Sequence, residues 1–497
     1  MQSRRDQLQA HLFVTGRMVS ALLRAEPDAQ HTPLRRFSVG TATGALLAVL
    51  LLIGYAVVGF IAPGGSQKFR TPGALVVEKE TGTRYVLIDG TLRPVLNFTS
   101  AKLILGADLT VVNVSRRSLA GVPHGQPVGI VSAPDALPDP KNLGGSWWQV
   151  CAATRADVSG MDQPSAILNV RGGPTGSALG PADALLVRAP GGALYLVWNS
   201  RRLLIPAGGT LNALGYGAAR QLPVAASWLT PLPVGPDLRA PAVPGRGRPG
   251  PALDGRPTRI GQLFVVDTAS GEQFFLLRPD GLAPLTRTGA ALVLGDRRTA
   301  AAYAGAVVAA KPLSAAGLAG APRAATSAVR DGLPASPPAV VNVPDGQAPC
   351  LDAHLAGGAT GADVQVRLDT PAAGSAPARP ATAPANGGPA LADRIRVAPG
   401  TGLLVRAQPG PRVTDGTLYL LVDTGVRYPL PDDQVAGTLG YDPARAVEVP
   451  GPLLSLVPAG RPLDPAAASS TVPLDPQADP ADPADSADPA DSAGGTQ

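Results

Sequence analysis

Aromatic residues make up only 4% of this 497-residue sequence, too few for the stacking platforms that grip bases or sugars. Histidine is scarce as well, at His11, His31, His124 and His354. No HExxH, Cys-x-x-Cys or His-rich tract occurs, so no metal site is expected. Of the 42 basic residues only five are lysine, and they are scattered; a net charge of +5 over this length lacks the dense basic face that nucleic acid requires. The dipeptide Gly-Lys is absent, which excludes a P-loop, and no G-x-S-x-G elbow offers a hydrolase nucleophile. The paired acids Asp432 and Asp433 read as solvated turn residues. The residues themselves thus point to no catalytic group, cofactor or metal. What is plentiful is glycine (59) and proline (54), beside 45% hydrophobic residues, which together permit a folded core interrupted by many turns.

Only one long hydrophobic run exists. Residues 39–61 contain no charge. At about 1.5 Å per residue a helix there spans roughly 34 Å, enough to cross a ~30 Å hydrocarbon core. A cleaved signal peptide is the alternative; the long leader and the lack of an A-x-A site speak against it. Arg4, Arg5, Arg17, Arg24, Arg35 and Arg36 precede the run, and only Lys68 and Arg70 follow closely. The positive-inside rule then keeps the N-terminus cytoplasmic and exports the bulk of the chain to the periplasmic side of an inner membrane. In the leader (1–37), Leu8, Leu12, Val19 and Leu22 follow helical spacing, so an amphipathic helix either lies on the lipid or docks on a partner.

Beyond the span (38–62) a motif recurs four times. Each copy has two apolar runs about a glycine turn, an aromatic, a proline and a closing Leu-Gly. The positions are Gly82, Tyr85, Pro94 and Gly106; Gly192, Tyr195, Pro206 and Gly215; Gly271, Phe275, Pro284 and Gly295; Gly416, Tyr419, Pro429 and Gly440. From aromatic to closing glycine the separations are 21, 20, 20 and 21 residues. This predicts a strand hairpin, a third strand and a helix capped by a left-handed glycine. In the second copy Arg202 stands where the others have a glycine turn, so that turn must differ.

The two cysteines lie between copies, Cys151 after the first and Cys350 after the third. In an exported chain a Cys151–Cys350 disulfide is the expectation, with two buried free thiols the alternative. The bridge would join residues 120–175 and 300–370 into one central core. The remaining boundaries are repeat one at 63–115, repeat two at 183–234, a linker at 235–257, repeat three at 258–298, a Pro/Ala/Gly linker at 371–392 and repeat four at 393–461. Copies two and three then read as an insertion into the core. A disordered acidic Asp-Pro-Ala tail closes the chain at 466–497. The expected fold class is a single-pass membrane protein whose elongated, mainly β (α+β) extracytoplasmic body has approximate internal twofold symmetry.

The leader from Arg5-Asp-Gln-Leu-Gln-Ala-His-Leu to Phe13, with Arg17, Met18 and Ala21-Leu-Leu-Arg24, resembles EccB, a core membrane component of the type VII (ESX) secretion systems of actinobacteria. The segment from Ser118 to Ile130, the run Ala133-Pro-Asp-Ala-Leu-Pro138, the Trp147-Trp148-x-x-Cys151 stretch, the Ala-Pro-Cys350 partner and the four repeats fit as well. The resemblance covers residues 1 to about 460. It implies assembly with EccC, EccD and EccE-type subunits near a mycosin protease, in an inner-membrane complex whose periplasmic part is a multimeric layer. The family is often labelled an ATPase, so ATP enters only through that label. The leading expectation is a non-catalytic scaffold that oligomerises in the periplasm and binds no nucleic acid. The alternatives are nucleotide hydrolysis through a non-Walker site and an envelope- or peptidoglycan-binding module.

Overall fold

The computed structural model describes residues 4–24, 34–61, 67–157, 159–170, 173–355, 362–370, 379–380, 391–408 and 416–472. The sequence expectations for His31, for most of the 371–392 linker and for the tail beyond residue 472 lie outside these residues. The chain divides into two compact units, residues 1–92 with 110–124, and residues 93–109 with 125–497.

The first unit begins with two helices, α1 (Arg4–Arg24) and α2 (Leu34–Ile61). Within α2, Phe37–Val57 has a mean hydropathy of 2.0 and none of it is buried; among the described residues this is the one helix long and apolar enough to cross a membrane. The sheet of the first copy follows, with strands Ala74–Glu78, Arg84–Ile88, Thr91–Pro94 and Thr110–Val114. In space they run third, second, first, fourth, and the fourth is parallel to the first, with Leu75 opposite Val111. Phe69, Val76, Leu92, Val114 and Leu119 form its core. At the end of the first strand the buried Glu78 accepts hydrogen bonds from Arg116 Nε (2.6 Å), Thr81 Oγ1 (2.9 Å) and Tyr85 OH (3.3 Å).

Copies two, three and four repeat this ββ-β-α-β plan in the second unit. Their first strands are Asp183–Arg188, Leu263–Thr268 and Gly402–Gln408. Their parallel fourth strands are Leu222–Pro223, Lys311–Pro312 and Val447–Pro450. That fourth strand comes after the closing Leu-Gly of the motif, inside the expected bounds of copies one, two and four but outside those of copy three. Copy three therefore runs past residue 298: its last strand and the helical turn Ala315–Ala319 occupy part of what was read as central core. The differing turn of copy two is formed by Asn199 and Ser200, both at positive φ (47° and 54°), a pair that suits a two-residue hairpin.

The copy helices start where a polar side chain satisfies a free amide. Asn97 caps the helix Phe98–Leu105, Thr286 caps Arg287–Gly295 and Asp432 caps Asp433–Thr438; copy two, with Gly209 in that place, has only the four-residue helix Thr210–Ala213. The first copy's helix belongs with the second unit.

A seven-stranded central sheet links the copies. Its order is Arg379–Pro380, Arg394–Arg396, Asp162–Val170, Trp147–Ala156, Ala348–His354, Asp363–Asp369 and Ser177–Ala178. The two middle strands are antiparallel with Cys151 directly opposite Cys350. An approximate twofold therefore passes through that pair. It relates the hairpin 147–170 to 348–369, and the connecting segments cross over. Leu179, after the first hairpin, donates to Val366 O of the second (3.0 Å), and Asp393, after the second, donates to Ala166 O of the first (2.9 Å). The chain is thus two tandem halves, each reading copy, arm, hairpin, copy. Copies two and three still lie in the chain between the two hairpins that pair across the bridge.

The expected linker at 235–257 is also corrected. Leu238 and Leu253 are buried in two apolar clusters, and Pro249–Leu253 pairs with Arg256–Arg259 through a turn at Asp254 and Gly255. A proline- and glycine-rich composition looks like linker, yet a few leucines between the turns suffice to anchor it.

Candidate functional site

The centre of the second unit is built by strand alternation. On one face of the middle strands, Trp148, Val150, Leu168, Leu351, Ala353 and Val366 enter the main apolar cluster. The other face carries the Cys151–Cys350 disulfide, with a Cα–Cα distance of 4.0 Å. Next to the bridge on that face runs a polar row in register across four strands: Asn169, Gln149, Asp352, Gln365. Asn169 Nδ2 donates to Gln149 Oε1 (3.0 Å), and Gln149 Nε2 donates to Asp369 Oδ2 (3.1 Å). Asp352 is 2% exposed, and among the described residues its oxygens meet no hydrogen-bond donor in good geometry; Arg367 Nε lies 3.5 Å away. Burial pushes its carboxyl above the usual carboxylate range, against the pull of Gln149 and Arg367. The twofold mates of Asp352 and Gln149 are Ala153 and Ala348, so this charge belongs to one half only.

Two arms and two helix junctions tie the halves together. Tyr216, directly after one closing Leu-Gly, donates to Pro338 O (2.8 Å), and Tyr441, after another, donates to Pro138 O (2.9 Å). Each bond joins a copy of one half to the arm of the other. Burial raises both hydroxyls, Tyr216 to about 12. The helices pair in the same crossed way, copy one with copy four and copy two with copy three. At the first junction Lys102 Nζ donates to Leu439 O (2.9 Å). At the second, a Cβ on Gly295 would lie 2.6 Å from Ala213 Cβ, and one on Gly209 would lie 2.8 Å from Gly295 O.

The predicted repeat positions fall into these roles unevenly. The aromatics pair with the first strand as Val76–Tyr85, Val187–Tyr195, Phe264–Phe275 and Val405–Tyr419. In copies three and four the proline stands opposite the aromatic, Phe275–Pro284 and Tyr419–Pro429, whereas Tyr195 faces Leu204 and Pro206 lies beyond its strand. Pro94 ends the third strand of copy one. Gly106, Gly215 and Gly440 have positive φ, whereas Gly295 does not; it ends its helix and is needed for the close crossing. Gly82, Gly192 and Gly271 have positive φ, while Gly416 is required because a side chain would collide with the Ala407 carbonyl.

Of the other three histidines His11 lies in α1, while His124 packs on Tyr85 (5.5 Å) and His354 on Trp147 (4.5 Å). No group of three metal-ligating side chains occurs among the described residues. Sequence reasoning missed Asp352, Tyr216, Tyr441 and Gly209, and it named Gly295 as a cap rather than as a crossing residue. The tyrosines had a readable signal, since each follows a Leu-Gly in the second or fourth copy.

Comparisons with known proteins agree with this architecture. In Mycobacterium tuberculosis, the ESX-3 secretion system ATPase EccB3 is 28% identical over 518 residues, covering 93% of this chain and 92% of that protein. The ESX-2 secretion system ATPase EccB2 of the same organism is 29% identical, covering 92% of each. Among solved structures, the periplasmic assembly from the ESX-5 inner membrane complex gives a TM-score of 0.62 at 25% identity, with 84% of this chain and 100% of that one covered. The EccB3 dimer from the ESX-3 core complex gives 0.61 at 26% identity, with 80% and 100% covered. Residues 1–473 match the family described as type VII secretion system ESX-1, transport TM domain B; with its single apolar helix and bridged β body, the chain belongs to that EccB family.

Proposed function

We propose that this chain is a structural subunit of a type VII secretion inner-membrane complex, anchored by α2 and assembling through its folded body on the periplasmic side. The observation that carries the reading is the family match over residues 1–473, which spans leader, membrane helix and body together. The solved relatives are described as parts of an inner membrane complex, a periplasmic assembly and a dimer. The arginines before α2 and their near absence after it support a cytoplasmic N-terminus. The exposed Leu8, Leu12, Phe13, Met18 and Leu22 on α1 suit docking against lipid or a neighbouring subunit. EccC, EccD and EccE-type proteins and a mycosin are the partners this role implies. The word ATPase in the relatives' names has no counterpart in a phosphate-cradling loop, since Gly-Lys is absent from the chain.

Native-gel separation of detergent-solubilised membranes tests the proposal. The chain is expected in a band far larger than its own 50.2 kDa, together with other membrane subunits. Migration of the intact, folded chain alone would overturn it, as would a reporter fused after residue 472 that is active only in the cytoplasm.

A further inference from the structure

The twofold that relates the two helix junctions does not relate their charges. At the junction of copies two and three lies a cleft of about 580 Å³ whose wall includes Gly208, Gly209, Arg239, Asp296, Arg297 and Arg298. Arg298 holds Asp296 through Nη2 (2.9 Å), Arg246 shares that same carboxylate (3.6 Å), and Arg239 pairs with Asp237 (3.1 Å). Arg297 has no ion-pair partner among the described residues. Four guanidinium groups against two carboxylates leave the cleft positive. At the symmetry-related junction of copies four and one, the equivalent positions after the third strand and after Leu-Gly hold Asp432, Asp433 and Asp108, beside Lys102 and the Arg406 that pairs with Asp433 (3.0 Å), so three carboxylates stand against two bases. The asymmetry extends beyond the cleft. Residues 183–331, which contain copies two and three, hold sixteen basic and eight acidic side chains.

One part of the chain complements this charge. Residues 473–497 contain six aspartates and no base, and the family match ends at 473. From Asp479 the acids recur at Asp482, Asp485, Asp488 and Asp491, one every third residue. Three residues is the turn of a polyproline II helix, which Pro480, Pro483 and Pro489 favour, so this sequence is suited to present its carboxylates along one side about 9 Å apart. The segment leaves the body beside the acidic junction, where Val472 donates to Pro127 O (2.8 Å) and the helix Pro465–Ser469 packs on Phe98–Leu105. Like charges disfavour its staying there. At about 3.1 Å per residue, the stretch from 473 to 491 reaches roughly 60 Å.

We propose that the acidic segment 473–497 docks through its carboxylates on the arginine-lined cleft between copies two and three. Guanidinium–carboxylate pairs supply the recognition, and spacing along the segment rather than apolar burial sets its register. Docking would cover a basic surface that otherwise faces solvent, and an acidic peptide from another protein would have to compete for it.

The test uses the full chain with a fluorophore on Gln497→Cys, the native disulfide being left intact. Raising NaCl from roughly 0.1 M to 1 M, which shortens the screening length from about 10 Å to about 3 Å, is expected to lower the label's anisotropy. The substitutions Arg239→Glu and Arg297→Glu together should lower it already at low salt. A labelled synthetic peptide of residues 473–497 should bind the chain truncated after residue 472, and at least tenfold more weakly when its aspartates are replaced by asparagine. The salt and peptide arms leave the body unaltered, so a variant that fails to fold does not decide the outcome. Anisotropy indifferent to salt, or equal binding of the aspartate and asparagine peptides, overturns the proposal. So does unchanged peptide affinity in a folded Arg239→Glu/Arg297→Glu chain.

Discussion

At the scale of single residues, the central sheet contrasts a stabilising pair with a destabilising charge. Cys151 and Cys350 meet across two strands, whereas Asp352 is buried two residues away with one guanidinium at 3.5 Å and, among the described residues, no good hydrogen bond. Because burial raises its folded pKa, the ionised form is the costly one, and the cost is present at neutral pH and fades as pH falls toward the ordinary carboxylate range. Asp352→Asn is therefore expected to raise the Tm by roughly 1–3 °C at pH 7, with the gain shrinking in acid. Arg367 keeps Thr175 O, Gly176 O and Gln365 Oε1 as acceptors in that variant, so it is not stranded. A lower Tm at pH 7, measured by differential scanning calorimetry, would show that the Arg367 pair outweighs desolvation. The cysteine pairing was legible because compartment and position both pointed to it. Asp352 was not, since an aspartate in Leu-Asp-Ala-His carries no local mark of the strands that will bury it.

At the scale of elements, the hairpins announced themselves through alternating apolar runs and turn glycines, but the parallel fourth strands did not. Leu222–Pro223 and Lys311–Pro312 are two residues long, too short for any period, and their pairing is created by the helix that returns the chain to the first strand. Helix glycines likewise look alike in sequence and differ in packing. Gly295 faces Ala213 at 2.6 Å, while Gly437, in the helix of copy four, has open space around its Cβ position. Gly295→Ala should destabilise the full chain by about 1–3 kcal/mol. Gly437→Ala should be neutral or stabilise by up to about 1 kcal/mol, the helix-propensity gain. Urea unfolding of both variants separates the two effects, and equal behaviour would mean that the junction of copies two and three yields without cost.

At the scale of the whole molecule, four repeats, one cystine pair and an approximate twofold were visible, yet the contacts that join the halves were not. Order along the chain is compatible both with an insertion and with two tandem halves, and the fold is both; the crossing of arms, Tyr216 to Pro338 and Tyr441 to Pro138, is what joins the halves. Those contacts join residues 122 and 303 positions apart, a relation that no window of sequence contains. The bridge closes a loop of 199 residues at the axis where the halves meet. Its removal frees the unfolded chain more than it alters the folded one, because strand pairing and both helix junctions still hold the halves. On loop-entropy grounds the loss is at most about 5 kcal/mol. The double variant Cys151→Ser/Cys350→Ser is thus expected to stay folded and membrane-inserted but to unfold at a lower denaturant midpoint. Its m-value should rise, since the uncrosslinked chain exposes more surface when it unfolds. A lowered midpoint with an unchanged m-value would place the bridge's effect in the native packing instead, and an unchanged midpoint would mean that the twofold contacts alone hold the two halves together.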